Sequence, residues 1–185
     1  MSVCYPRSIR LKGYDYAQAG AYFVTICTQN RVCLFGNIER EVMILGTPGQ
    51  IVLKAWVELP EHYANVRLDA FVVMPNHVHG IIVLSCDSVE AGLKPAATVR
   101  HALPEVVRAL KTFSSRRINA WRQTPDKSVW QRNYYEHVIR NDHDLERIRE
   151  YIVTNPMKWA LDGENPQRIG SSPVEDALFD LDLTP

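Results

Sequence analysis

The sequence predicts an α+β fold, a small antiparallel sheet with helices packed on it. Short runs rich in β-branched and aromatic residues recur along the chain, and longer stretches with helical periodicity lie between them. The segments follow in the order strand, hairpin, helix, two strands, helix, short strand and helix, which is an α+β pattern. At 185 residues and 46% hydrophobic, the chain has the composition of one globular domain.

The first half of the chain predicts a strand, a hairpin and a helix. Residues 21–28 (AYFVTICT) have strong β-propensity and predict the strand. After a turn at 29–31, residues 32–35 are expected to pair with 41–44. The Thr-Pro-Gly sequence at 47–49 predicts a break, and a helix should follow over residues 50–63.

The second half begins with an antiparallel hairpin, residues 66–73 and 77–84, turning at Pro75 and Asn76. A polar loop is predicted at 85–98.

Two further helices are predicted. Pro104 fits the first turn of one, which should end near Trp121 with that side chain facing inward. Residues 129–139 are aromatic-rich and are expected to be extended in part. Asn141 or Asp142 can cap the last helix, which should stop at Asn155 because a following proline disfavours helix there.

Bulk properties exclude some classes of function. No run of about 18 apolar residues exists, so no membrane partner is expected, and the lack of an apolar leader predicts a cytoplasmic location. The zero net charge argues against a simple polybasic nucleic-acid binder. Charge is uneven, however: residues 162–185 carry a net −5 and residues 1–161 a net +5. We predict a domain over 1–161 and an acidic C-terminal tail over 162–185.

His77 and His79 stand two apart in the β-branched run FVVMPNHVHGIIVL. Residues two apart share a face of a strand, so both imidazoles should point the same way, as a pair of metal ligands would. The alternative is that both are packed, hydrogen-bonded core histidines. The spacing alone indicates a metal and names no reaction.

Tyr151 and Asn155 are four apart on the last predicted helix and therefore neighbours on one face. Tyr151 lies at the margin of the apolar stripe, where its hydroxyl is expected to stay exposed. The open alternative is a boundary aromatic, with Asn155 as a helix C-cap.

Three segments in this order resemble the HUH single-tyrosine transposase family, its REP-associated tyrosine transposases and IS200-like relatives in particular. The segments are MPNHVHGIIVL, VWQRNYYEHVIRND and LERIREYIVTNPMKW, and the resemblance covers residues 7 to about 161. It implies a ferredoxin-like sheet with the His77–His79 pair on a central strand. It also implies that Tyr151 is the nucleophile and Asn155 a third metal ligand.

The implied activity is cleavage and rejoining of single-stranded, hairpin-containing DNA through a 5′-phosphotyrosine. Tyrosine is a poor nucleophile at neutral pH, so the reaction needs a divalent ion to polarise the phosphate. Two imidazoles and an amide oxygen suit Mg²⁺ or Mn²⁺ better than a closed zinc site.

A set of basic, aromatic and histidine side chains is predicted to contact the DNA. Tyr134 and Tyr135 are also rival nucleophiles, although base stacking is the role we predict for them. His137 can instead be a strand-edge histidine, and the basic helix can instead be a solvated face. The set comprises Lys111, Arg116, Arg117, Arg132, Tyr134, Tyr135 and His137.

Two alternatives to the enzyme remain open at this point. One is a domesticated, non-catalytic protein that binds DNA hairpins, and the other is a metal hydrolase unrelated to DNA. For the enzyme we expect association with the nucleoid, and a homodimer is left open.

Overall fold

A computed structural model describes residues 14–85 and 100–168 of the chain. Most of the loop predicted at 85–98, and residues 169–185 of the predicted tail, lie outside the described residues. Within them, no helix combines the length and the apolarity that crossing a membrane requires.

The described elements follow the predicted order. Two short 3₁₀ turns, Gln29–Arg31 and Asn155–Leu161, follow the first strand and the last helix. The elements are β1 (Gly20–Cys27), β2 (Gly36–Glu39), β3 (Val42–Leu45), α1 (Thr47–Val57), α2 (Leu59–His62), β4 (Val66–Val73), β5 (His77–Leu84), α3 (Leu103–Trp121), β6 (Tyr135–Ile139) and α4 (Asp142–Thr154).

The main sheet of the described chain has the strand order β4-β5-β1-β6, and each neighbouring pair is antiparallel. With α1 before β4 and α3 before β6, this is the ferredoxin-like arrangement. Strand β5, which begins with His77, lies between β4 and β1. The predicted fold class and the central position of the histidine pair are confirmed.

The two faces of the sheet carry different helices because side chains alternate along each strand. On one face, Val24 of β1 and Val78 of β5 belong to the large core that includes α1 and α3. On the other, Phe23 of β1 and Ile81 of β5 pack against Ile148 of α4. His77 and His79 share the phase of Ile81, so they face the α4 side.

The predicted hairpin at 66–73 and 77–84 is found at those bounds. The hairpin predicted at 32–35 and 41–44 also forms, but with shifted strands. These are β2 and β3, which begin several residues and one residue later than predicted. Arg40 and Glu41 both have positive φ and form the two-residue turn between the strands. Such a turn favours Asn and Gly, so this sequence gave no signal for it.

The predicted break at 47–49 was wrong, since α1 already begins at Thr47. Pro48 fits there because the first turn of a helix leaves its N–H groups unpaired in any case. The predicted helix over 50–63 is also divided: α1 ends at Val57 and α2 contains Pro60, which lacks the N–H that would continue the helical bonding.

The predicted inward position of Trp121 was also wrong, because this side chain is 54% exposed. The buried row of α3 advances in steps of four through Leu110, Ser114 and Ile118. Trp121 comes three residues after Ile118 and leaves that row.

Gly80 lies directly against the edges of two stacked aromatic rings that cover the α1 side of β5. Trp56 and Phe71 stack with centroids 4.2 Å apart and planes at 9°. A Cβ on Gly80 would lie 2.5 Å from Trp56 Cη2 and 2.8 Å from Phe71 Cδ2. The stack therefore depends on a residue without a side chain directly after His79.

Candidate active site

The imidazoles of His77 and His79 converge on the α4 side of the sheet. Their Nε2 atoms lie 2.9 Å apart, and their ring centroids 4.5 Å apart. Both rings are almost fully buried. The central strand thus presents two nitrogen donors to the same point.

Each imidazole is oriented through its Nδ1 atom. His77 Nδ1 lies 2.8 Å from Asn76 Oδ1, and His79 Nδ1 lies 2.8 Å from Thr25 Oγ1. Because an amide oxygen only accepts hydrogen bonds, His77 carries its proton on Nδ1 and has a lone pair on Nε2. A partner of this kind is what orients metal-binding histidines.

Burial also keeps both rings neutral. Loss of solvation lowers the pKa of His77 well below its ordinary value, assisted by His79 and Arg31. Loss of solvation also lowers the pKa of His79 to about 3. Neutral imidazole is the form that binds a metal ion.

Tyr151 of α4 reaches the histidine pair in the same chain. Its hydroxyl oxygen lies 3.3 Å from His79 Nε2, and its ring meets the rings of His79 and Phe23 edge to face. The side chain is only 4% exposed, deeper than its predicted place at the margin of the stripe. The reason is that the ring fills the space between α4 and β1.

Asp162 is a site residue that the sequence analysis assigned to the acidic tail. Its Oδ1 accepts a hydrogen bond from the Glu164 backbone N–H at 2.7 Å, and its Oδ2 lies 3.5 Å from His77 Nε2. The side chain is 2% exposed. No composition or spacing signal separates it from the acids that follow it; only the 3₁₀ turn after α4 brings it back to β5.

A clamp formed by Asn76, Glu164 and Arg31 holds the segment that carries Asp162. Asn76 Nδ2 donates to the carbonyl oxygens of Glu164, at 2.7 Å, and of Arg31, at 3.1 Å. Arg31 Nε lies 2.8 Å from a carboxylate oxygen of Glu164. Asn76 therefore fixes both the ring of His77 and the chain that brings Asp162 to it.

Asn155, the predicted third ligand, is buried one helical turn after Tyr151. Its Oδ1 has no hydrogen-bond partner among residues 14–85 and 100–168. A buried amide oxygen without a partner is costly unless something else satisfies it.

The donor set fits a divalent metal ion. The ligand atoms of His77, His79 and Asp162 all lie within 4.8 Å of one another. Adjacent ligands of an octahedral ion at about 2.1 Å are separated by about 3 Å, close to the observed Nε2–Nε2 distance. The group could thus hold an ion. A further oxygen ligand from Asn155, the C-cap residue of α4, stays a prediction.

The predicted DNA-contacting residues are divided between the two faces of the sheet. His137 lies on the α4 side, where its Nε2 is 2.9 Å from Asp144 Oδ2, and Tyr135 packs against the core on that side. Arg117 pairs with Glu58. The remaining four, Lys111, Arg116, Arg132 and Tyr134, line a groove beside α3 on the other side. Their role in DNA binding stays a prediction.

Comparison with known proteins identifies sequence relatives and a structure with a similar fold. No protein-family model matches the chain. An uncharacterized protein of Haemophilus influenzae is 39% identical over 167 residues, which cover 84% of this chain and 91% of that protein.

Two further relatives bear a family name. A putative REP-associated tyrosine transposase of H. influenzae is 25% identical over 144 residues, covering 78% of this chain and 74% of its own length. A REP-associated tyrosine transposase of Escherichia coli K12 is 26% identical over 151 residues, which cover 77% of this chain and 70% of that protein.

Among solved structures, a REP-associated tyrosine transposase bound to a REP hairpin shares the fold. The two structures superpose with a TM-score of 0.56 at 23% sequence identity, and the match covers 80% of this chain and 73% of the solved chain. The two named relatives support the family that the sequence motifs indicate, the REP-associated tyrosine transposases, and the solved structure supports its fold.

Proposed function

We propose that this protein cleaves and rejoins single-stranded DNA next to a hairpin, with Tyr151 as the nucleophile. One observation carries the proposal: the Tyr151 hydroxyl lies 3.3 Å from His79 Nε2, beside two converging neutral imidazoles. Of the rival nucleophiles, Tyr134 lines the groove beside α3 on the other side of the sheet, and Tyr135 meets the ring of Phe23 edge to face.

The side chains around the pair supply orientation. Thr25 and Asn76 fix the two rings, and the packing of Tyr151 against Phe23 fixes its hydroxyl. A Mg²⁺ or Mn²⁺ ion held by His77 and His79, with an oxygen from Asp162 or Asn155, would polarise the scissile phosphate. Holding a nucleophile and an electrophile in one geometry is itself a large part of catalysis.

The reaction exchanges one phosphodiester for another. Tyr151 Oη forms a bond to the phosphorus and gives up its proton to solvent, while the bond from phosphorus to the 3′ oxygen breaks and that oxygen takes up a proton from solvent. The products are a 5′-phosphotyrosine and a free 3′-OH. Attack of a 3′-OH on the phosphotyrosine reverses the step and releases Tyr151, so rejoining needs no nucleotide cofactor. A substrate of this kind implies action at the nucleoid.

Covalent trapping tests the proposal. Wild-type protein, Tyr151→Phe, Tyr134→Phe and Tyr135→Phe are each incubated with Mn²⁺ and a labelled hairpin oligonucleotide with single-stranded flanks. The adduct is then resolved by denaturing electrophoresis. We expect it from all but Tyr151→Phe, which loses only one oxygen and should still bind the DNA.

An adduct that persists in Tyr151→Phe, or that maps by peptide sequencing to Tyr134 or Tyr135, would overturn the assignment. Hairpin binding by the wild type without any adduct would instead favour the non-catalytic alternative.

A further inference from the structure

Helix α4 is held by a polar contact at each edge of the main sheet. The strand order places β6 and β4 at the two edges of the described sheet. At β6, His137 Nε2 lies 2.9 Å from Asp144 Oδ2 of α4. At β4, Arg149 of α4 donates to both carboxylate oxygens of Asp69. Tyr151 of the same helix contacts the central strand β5, so the candidate nucleophile is carried by a helix that is fixed on both sides.

The contact at β6 is a charge-assisted hydrogen bond to the first turn of α4. Burial raises the pKa of Asp144, but hydrogen bonds from His137 and Arg147 outweigh this effect and lower it below its ordinary value. The ionised carboxylate can only accept, so His137 donates through its Nε2–H group. Arg147 Nη2 donates to the other carboxylate oxygen at 3.0 Å. Because the Asp144 backbone N–H also donates to the capping Asn141 side chain, at 2.8 Å, this residue has a fixed position.

The contact at β4 lies at an irregularity of that strand. The register between β4 and β5 shifts between Leu68 and Phe71, and an irregularity of this kind re-aims the side chains that it contains. Asp69 lies within it, and its Oδ1 also accepts from the Ala70 backbone N–H at 2.7 Å. The break in the strand pattern thus coincides with the residue that binds Arg149 of α4.

The contact at β6 is connected to Tyr151 in two ways. Asp144 precedes Tyr151 by seven residues, close to two helical turns, so both side chains lie on the face of α4 that meets the sheet. Along the sheet, His137 pairs with Phe23 of β1, whose ring meets that of Tyr151 edge to face with centroids 6.0 Å apart. His137 itself is 9% exposed, which leaves little of its surface for a ligand.

We propose that His137 is a positioning residue for the nucleophile, acting through Asp144 and α4 and not through contact with DNA. Asp69 does the same from the opposite edge through Arg149. Contacts on opposite sides of a helix resist both its sliding and its rotation over the sheet, so they hold the Tyr151 hydroxyl beside His79. The inference rests on the proposed role of Tyr151 in the cleavage reaction.

Kinetics of adduct formation test the inference. His137→Leu removes the N–H donor, and His137→Gln keeps a side-chain N–H at a similar reach. Asp69→Asn weakens the contact at the other edge. The matched control is His143→Leu, an exposed histidine in the first turn of the same helix. For each variant, the adduct rate is measured at saturating hairpin oligonucleotide with Mn²⁺, the Kd for the same DNA by anisotropy, and the folded state by thermal melting.

We expect His137→Leu to slow adduct formation at saturating DNA by about 10- to 100-fold with an unchanged Kd, because a displacement of about 1 Å can have an effect of this size. Asp69→Asn should act in the same direction, and His137→Gln should recover most of the wild-type rate. A weaker Kd for His137→Leu, with the saturating rate of His143→Leu, would overturn the inference, since His137 would then contact the DNA. A His137→Gln variant as slow as His137→Leu would also overturn it.

Fluorine NMR with 3-fluorotyrosine at position 151 separates this inference from the proposed function. In the protein without DNA or added metal, we expect His137→Leu to shift or broaden the resonance and His143→Leu to leave it unchanged. If the wild type gives no adduct, the cleavage activity fails, while a changed resonance in His137→Leu alone still supports the positioning role. A resonance that is the same in both leucine variants would refute that role, whether or not an adduct forms.

Discussion

Asn76 connects a candidate metal ligand to the segment that carries Asp162, because its amide oxygen accepts from His77 and its amide nitrogen donates to Glu164 and Arg31. Asn76→Ala would leave buried groups without partners, at about 1–3 kcal/mol for each. Loss of such an orienting partner typically weakens metal binding by about 10- to 100-fold. We expect lower stability in urea unfolding and weaker Mn²⁺ binding in calorimetry.

The matched control is Asn37→Ala on β2, whose side-chain amide donates to Glu39 at the surface. If the two alanine variants proved alike in stability and in Mn²⁺ affinity, Asn76 would have no orienting role.

Gly80 gives a second prediction about a single residue. A methyl group there must displace the Trp56–Phe71 stack, and strain of this kind in a packed core costs about 1–3 kcal/mol. Gly80→Ala should therefore lower the denaturant midpoint. Gly20→Ala is the control, because a Cβ on Gly20 meets nothing nearer than 3.7 Å. Equal midpoints for the two variants would contradict the packing argument.

Single residues also show how far sequence reasoning reached into the site. His77 and His79 were predictable because alternation along a strand fixes the direction of both side chains. Asp162 was not predictable, since its position depends on how a 3₁₀ turn folds back after Pro156. The near-complete burial of Tyr151 depends on how closely α4 packs on β1, which periodicity does not report.

At the scale of elements, α4 is tied to β4 by an ion pair that depends on pH. Arg149 Nε and Nη2 donate to the two carboxylate oxygens of Asp69 at 2.8 and 2.6 Å, and these bonds lower the pKa of Asp69. A lowered carboxylate pKa stabilises the fold above the unfolded value of about 3.9 and loses this effect as pH falls through the folded value.

Asp69→Asn should therefore melt below the wild type at pH 7, and the difference should shrink as pH falls below about 4. Calorimetry across this range makes the measurement, with the exposed Glu61→Gln as control. A difference in melting temperature that stays constant down to pH 2 would show that the ion pair is not its source.

The elements that were predicted well have signals close in the sequence. Strands β4 and β5 surround an obvious turn, and the Asn141 side chain caps α4 as expected by accepting from the Asp144 N–H. The start of α1 was missed because Thr-Pro-Gly occurs in loops as well as in first helical turns. In the structure Gly49 packs closely against the backbone at Phe35, a contact between distant residues that the local sequence does not report.

At the scale of the whole molecule, a bound metal ion should stabilise the fold by mass action. An ion at about 100 times its Kd adds about 2.7 kcal/mol, or about 5–10 °C in melting temperature for a domain of this size. Scanning calorimetry with Mn²⁺ should show this shift, and EDTA should remove it. The double variant His77→Ala/His79→Ala should show none, while the exposed His143→Ala should respond like the wild type. A full shift in the double variant would place the ion elsewhere.

The clamp at Asn76 has a consequence for any shortened form of the chain. Asp162 and Glu164 follow the last helix, yet Asp162 reaches His77 and Glu164 is bonded to both Asn76 and Arg31. A protein that ends before residue 162 would therefore lose part of the candidate site together with the acidic segment, and its behaviour would report on both.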